Sequence, residues 1–118
     1  MRSEIVRAVG ALADPEYQRR VWLAREYPTR DFFDNFTLNV HILYDDTQVL
    51  RDPFLGMGNF LRSAKEVDAM LNLAAAMDAL FDALGADRSD AEYMDSPLWQ
   101  SVVDAARSAR DVMASASA

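Results

Sequence analysis

The strongest periodic pattern of apolar residues in the chain lies between Ser63 and Gly85. Apolar residues recur there at steps of three and four, which places them on one face of an α-helix. Ser63 and Glu66 have the spacing of a capping box at the start of a helix. Gly85 is typical of a helix end, because glycine tolerates a left-handed backbone. The apolar stripe comprises Val67, Met70, Ala74, Met77, Phe81 and Leu84, widened by Leu71 and Leu80. We therefore predict a helix over residues 64–84.

Prolines at helix starts and ends predict further helices on both sides of this one. An amphipathic stretch at the start of the chain predicts a first helix that ends before Asp14 and Pro15. The same pair predicts the start of a second helix, because the first turn of a helix does not need the backbone N–H that proline lacks. Pro28 ends that second helix. Ser96 and Pro97 predict the start of the last helix in the same way.

The middle of the chain fits two patterns. Over residues 36–44 apolar and polar residues mostly alternate, which is typical of a half-buried strand, with residues 47–50 as its hairpin partner. The same stretch also carries Phe36, Val40 and Leu43 at helical spacing. An isolated hairpin is marginally stable, so consistency with the rest of the chain favours a helix. We predict a mainly α fold of about five helices around one core, with helix 64–84 central and an α+β fold with a small hairpin at 36–50 as the alternative.

Several motifs resemble those of a known family. LNVHILYDDTQVL, followed by DP, by the glycine-containing FLGMGNFL and later by SPLWQSVVDAA, resembles a family of short uncharacterised actinobacterial proteins. That family has a VHFLFDDT-like segment and a proline-tryptophan-valine-valine-like stretch that opens the last helix. The resemblance covers residues 2–113 and implies a helical middle segment but no activity. This chain departs from the family pattern at Asn39 and at Gly56-Met57-Gly58.

Composition narrows the range of function classes. The 118 residues include 19 acidic and 12 basic side chains and no cysteine, which gives a net charge of −7. We expect one domain over residues 1–113 and a disordered tail over residues 114–118, which have no large apolar side chain to bury. No stretch of about 18 uncharged apolar residues is present, so we expect a cytoplasmic protein without a signal peptide or a membrane contact. A negative chain repels phosphate, so no nucleic-acid partner is expected.

Negative charge is concentrated in residues 31–59, where five aspartates stand against one arginine. Complementary charge speeds and selects protein encounters. We therefore predict a non-catalytic interaction domain without a cofactor that binds a basic partner protein, for example as an immunity or antitoxin-like protein. The expected partner-binding residues are Asp31, Asp34, Asp45, Asp46 and Asp52.

The only histidine, His41, provides the alternative function. Asp45 lies four residues later and shares a face with it, so the aspartate could orient the imidazole as a general base, or both could bind a divalent metal with Asp46 or Asp34. A structural histidine bonded to its neighbouring aspartate is favoured, because the spacings of zinc and calcium sites are missing. The chain also lacks a nucleophile elbow and a phosphate loop. An enzyme is therefore the second hypothesis, and a homodimer joined through Met57, Met94 or Val103 is the third.

Overall fold

The computed structural model describes residues 2–117, and the side chains of all of these except Leu55, Ala116 and Ser117. Within these residues the chain forms six α-helices and no β-strand, which confirms the mainly α prediction. The helices are α1 (Arg2–Leu12), α2 (Pro15–Tyr17), α3 (Phe36–His41), α4 (Ala64–Leu84), α5 (Asp90–Met94) and α6 (Trp99–Ser117). α2 continues into a π-helical segment (Gln18–Leu23), α3 into another (Ile42–Asp46), and Pro53–Gly56 forms a 3₁₀ turn.

The middle segment is helical, so the alternative with a hairpin is wrong. The side-chain oxygen of Asn35 accepts a hydrogen bond from the N–H of Leu38 at 2.8 Å and caps α3. Residues 47–50, expected as the second strand, form a turn in which the N–H of Leu50 donates to the carbonyl of Leu43 at 3.0 Å. The local alternation of apolar residues was therefore overridden by a helix cap and by burial of Leu43.

The central helix α4 has the bounds that the sequence predicts. Ser63 caps it, its hydroxyl accepting the N–H of Glu66 at 3.3 Å, and Gly85 ends it with a φ of +83°. The buried face is rotated slightly from the predicted stripe, because Leu73 is fully buried and Leu71 is 38% exposed. The other large apolar side chains buried on this face are Val67, Met70, Met77 and Leu80. α4 packs mainly against α6.

The last helix completes the core, because it packs against both α4 and α1. Its buried side chains are Trp99, Val102, Val103, Ala106, Ala109 and Met113. Val103, named for a homodimer surface, is only 1% exposed and is therefore part of the core. α6 continues through residues 114–117, where the sequence predicts a disordered tail, since alanine-rich turns extend a helix at little cost. Ala118 lies outside the described residues.

An ion pair between Arg2 and Glu66 joins the first turns of α1 and α4. Glu66 is fully buried in the first turn of α4, and its two carboxylate oxygens accept from the guanidinium of Arg2 at 2.8 and 2.9 Å. The carboxylate also accepts the N–H of Arg62 at 2.9 Å. The predicted capping box is thus only half formed, because Glu66 turns to Arg2 and Arg62 rather than to the N–H of Ser63.

Candidate functional site

A groove of about 350 Å³ opens between α3 with its π-helical segment, the end of α4, and α5. Its walls include the rings of Phe36, Phe81 and Tyr93, whose centroids lie 5.0 to 6.0 Å apart. His41 and Asp45 stand among the lining residues, and we call this feature the His41 groove. Apolar walls with a few polar groups at the rim are typical of a binding site.

His41 and Asp45 are in direct contact, as their spacing predicts. The Nδ1 atom of His41 lies 2.6 Å from Oδ2 of Asp45, and the imidazole is 59% exposed. The hydrogen bonds from His41 and from Arg51 lower the pKa of Asp45, so this side chain remains a carboxylate. A carboxylate accepts the proton of Nδ1, which leaves Nε2 as the ring nitrogen that can accept a proton.

Arg51 holds the other oxygen of the same carboxylate. Its Nη2 atom donates to Oδ1 of Asp45 at 2.9 Å, and its Nε atom donates to the carbonyl of Tyr44 at 2.6 Å. Arg51 is the only basic residue in the acidic stretch 31–59, and this was the one sequence signal that could have assigned it to the site. Its contacts fix Asp45 in place and offset part of its charge.

Tyr44 contributes the one buried side-chain N or O atom without a hydrogen-bond partner in the described part of the chain. Burial of the phenol raises the pKa of Tyr44 to about 12, and the negative charge of Asp78 on α4 adds to this shift. The hydroxyl therefore stays protonated at neutral pH and can donate a hydrogen bond. No sequence motif marked Tyr44 or Asp78, because their proximity arises only when α4 packs beside the π-helical segment.

Three of the predicted partner-binding residues lie in residues 45–52, which comprise the end of the π-helical segment and the loop that follows it, and which we call the acidic loop. Asp45 and Asp46 are exposed and Asp52 is half-buried. Val49 and Leu50 anchor the loop, since they are 1% and 4% exposed. The hydroxyl of Thr47 also donates to the carbonyl of Ile42 at 2.8 Å, so the loop is held from both sides.

The other two predicted residues lie elsewhere. Asp31 is exposed, but it lines a separate cavity with Asp34. Asp34 is only 8% exposed, which corrects its assignment to an exposed acidic surface.

Three donors account for the burial of Asp34. Oδ2 accepts from the hydroxyl of Tyr17 at 2.7 Å and from the indole of Trp22 at 2.9 Å, and Oδ1 accepts from the amide of Asn39 at 2.9 Å. A buried polar group is stable when such bonds satisfy it. Aromatic donors more than ten residues away give no periodic signal, so the sequence could not reveal this cluster.

Across residues 2–117 no three His, Asp or Glu side chains come close enough together to hold a metal ion. Of the helices in that range, none has the length and apolar content that crossing a bilayer requires.

Comparison with known proteins identifies the family. Residues 1–118 match the family described as Domain of unknown function (DUF7945), and the chain therefore belongs to it. This confirms the expectation of an uncharacterised family. No curated protein and no solved structure matches the chain significantly.

Proposed function

We propose that this family member is a non-catalytic, cytosolic protein-interaction domain whose binding face consists of the acidic loop and the adjoining His41 groove. The partner is a basic protein, and neutralisation of a basic toxin domain by an immunity or antitoxin-like protein is one concrete form. An actinobacterial origin, implied by the motif resemblance, belongs to the same proposal.

The observation that carries this proposal is an apolar groove beside the acidic loop, with the exposed carboxylate of Asp45 among its lining residues. A Lys or Arg side chain from a partner has an apolar stem that suits Val40 and Phe81 in the groove wall, and its charged head suits Asp45 and Asp78.

The acidic loop supports the same role. Asp46 and Asp52 form no ion pair with any other described residue, so their charges are not offset by a close basic group. The loop backbone is already fixed by Thr47, Val49 and Leu50. A pre-ordered loop loses little conformational entropy when a partner binds, which favours affinity.

The test is capture of a partner from lysate of the native cell, followed by measurement of the purified complex by isothermal titration calorimetry. The test variant replaces Asp45, Asp46 and Asp52 with Asn. The control variant replaces the exposed Asp95, Asp104 and Asp111 with Asn, so that both variants carry the same net charge. We expect the first variant to lose at least about tenfold in affinity and the control to lose little. Equal losses in both would refute the proposed face.

An acid–base enzyme remains the second candidate, because the 2.6 Å contact between His41 and Asp45 also suits a general base. In that case Asp45 orients the imidazole, and Nε2 takes a proton from a substrate held in the groove. A metal-dependent form of this candidate would need His41 and Asp45 to bind a divalent ion without a third side chain, because no three such side chains come together in residues 2–117.

Two measurements separate this candidate from the binding domain. Thermal unfolding with millimolar Mg²⁺, Mn²⁺ or Zn²⁺ tests the metal-dependent form, since a ligand that binds only the folded chain raises the melting temperature. A hydrolase substrate panel on the wild type and on His41→Gln tests the metal-free form. Turnover that His41→Gln abolishes would support an enzyme, whereas partner binding without turnover of any substrate in the panel would support the non-catalytic role.

A further inference from the structure

A second cavity, of about 600 Å³, lies beside α1 and α2, and the segment 28–39 closes its other side. Its wall includes the buried carboxylate of Asp34, and we call it the Asp34 cavity. The volume is in the range of small-molecule sites, and the cavity is separate from the His41 groove.

The carboxylate of Asp34 has no directly bonded basic partner among the described residues. All three of its donors, Tyr17, Trp22 and Asn39, are neutral, and no ion pair to Asp34 forms within the described residues. Burying a carboxylate without an opposite charge is costly even when hydrogen bonds satisfy it. The pKa of Asp90 is raised mainly by burial, and Asp34 adds to the shift through its negative charge. The region therefore favours an additional positive charge.

Aromatic rings line the same cavity. Phe32 and Phe33 belong to its wall, and the ring of Tyr27 lies 6.0 Å from each of them. Tyr17 adds a third wall ring, placed edge-to-face on Trp22 at 6.5 Å. Phe33 is 57% exposed, although a phenylalanine gains more by burial. Aromatic faces attract organic cations, and quaternary ammonium groups above all.

The charged groups of the lining indicate a cationic ligand. Asp14 and Asp31 are exposed carboxylates that line the cavity together with Asp34. Arg7 also lines it and lies near the Tyr17 hydroxyl, where its charge opposes a second cationic group. Three carboxylates against one guanidinium leave a net charge of −2 in the lining, which favours a cation over a neutral or anionic ligand.

We propose that the Asp34 cavity binds a small organic ammonium ion with methylated nitrogen, held between the aromatic walls with its charge directed towards Asp34 and Asp31. The rings supply cation–π attraction and the carboxylates supply the opposite charge. This site is independent of the partner-binding face, and either proposal can fail without the other.

The test is a titration of the ¹⁵N-labelled chain, followed by NMR at constant ionic strength, with three probes of similar shape. Tetramethylammonium is the cation, tert-butanol the neutral analogue and pivalate the anion. The indole N–H of Trp22 donates to Asp34, so its resonance reports on the back of the cavity. So small a probe binds in the millimolar range at best, so the titration extends to about 100 mM.

Two pairs of variants locate the binding. Phe33→Ala removes an aromatic wall, and Phe54→Ala removes a comparably exposed ring from the 3₁₀ turn. Asp31→Asn removes a carboxylate that lines the cavity, and Asp46→Asn removes one that does not. We expect Phe33→Ala and Asp31→Asn each to weaken tetramethylammonium binding about three- to tenfold, and their controls to leave it unchanged.

Each result of the NMR titration either supports or refutes the proposed cation site. Saturable shifts of the Trp22 resonance with tetramethylammonium, but not with tert-butanol or pivalate, would support the site. Equal response to all three probes would refute charge recognition, and a response to pivalate alone would reassign the cavity to an anion bound by Arg7. The absence of saturable binding by tetramethylammonium, or equal effects of Phe33→Ala and Phe54→Ala, would also overturn the proposal.

Discussion

Glu66 is the residue on which the junction between α1 and α4 depends. It is fully buried, and Arg2 binds both of its carboxylate oxygens. Glu66→Ala would leave the partly buried guanidinium without its counter-ion, and we expect the free energy of unfolding to fall by about 3 kcal/mol. Urea denaturation at neutral pH measures this change.

The matched control for that loss is Asp111→Ala. Asp111 belongs to an ion pair with Arg110 in which both side chains are largely exposed, so its removal should cost only a small fraction of the Glu66 effect. Comparable losses in the two variants would show that the Arg2–Glu66 pair has no special role in stability.

Acidification should act through the same carboxylate. The hydrogen bond from Arg2 is the main reason that the pKa of Glu66 lies below its ordinary value of 4.5. A carboxyl group whose pKa is lower in the folded chain stabilises it fully above the unfolded pKa, and this contribution is lost as the pH falls through the folded pKa. We therefore expect the stability difference between wild type and Glu66→Gln to shrink below pH 4.5.

Urea denaturation of both proteins between about pH 6 and pH 3 measures this difference. Other carboxylates titrate in the same range, but they are common to both proteins and cancel in the comparison. A stability difference that stays constant over the whole range would contradict the assigned linkage.

Single residues also show where sequence reasoning reached its limit. The contact between His41 and Asp45 follows from their spacing of four and was predicted. Asp34 and Glu66 were not recognised as buried, because their partners come from other elements and, for Arg2, from 64 positions away along the chain. Burial of a carboxylate depends on such distant donors, and local pattern carries no information about them.

At the scale of elements, the two glycines near helices should respond in opposite directions to substitution by alanine. Gly10 lies inside α1, where an added methyl group meets no atom within 4 Å, so Gly10→Ala should stabilise the fold by about 0.5 to 1 kcal/mol. Gly85 has a φ of +83° and a ψ of 179°, a conformation that is almost restricted to glycine. Gly85→Ala should therefore destabilise the fold by about 1 to 3 kcal/mol.

Urea denaturation of the two variants beside the wild type checks both signs. Space is available at Gly85 as well, so a loss there would reflect the backbone alone. Stabilisation by Gly85→Ala would mean that the end of α4 relaxes into an ordinary helical conformation.

Elements with strong local signals were predicted well. The bounds of α4 follow from its cap, its periodicity and its terminal glycine. The π-helical segments after α2 and α3 have no such signal. Their wider i to i+5 hydrogen bonds, such as that from Thr47 to Ile42, are set by the packing of the following residues. The site residues Tyr44 and Asp45 lie in one of these segments, which limits how far a sequence could define the groove.

At the scale of the whole molecule, the net charge of −7 should destabilise the folded chain at low salt. Raising sodium chloride from about 0.01 M to about 1 M shortens the Debye length from about 30 Å to about 3 Å. Repulsion between separated surface carboxylates is then screened, while the buried Arg2–Glu66 pair is little affected. We expect the melting temperature to rise by a few degrees, as measured by circular dichroism.

The double variant Asp46→Asn with Asp52→Asn connects this salt effect to the proposed function. Neither carboxylate has an ion-pair partner among the described residues, so their removal should raise the melting temperature at low salt and reduce its rise with added salt. The same variant should bind a basic partner more weakly. If both results are obtained, the charges of Asp46 and Asp52 lower the stability of the fold but strengthen binding to the partner. A double variant that melts below the wild type at low salt would show that these charges stabilise the fold. That role alone would then account for the acidic residues, without binding to a partner.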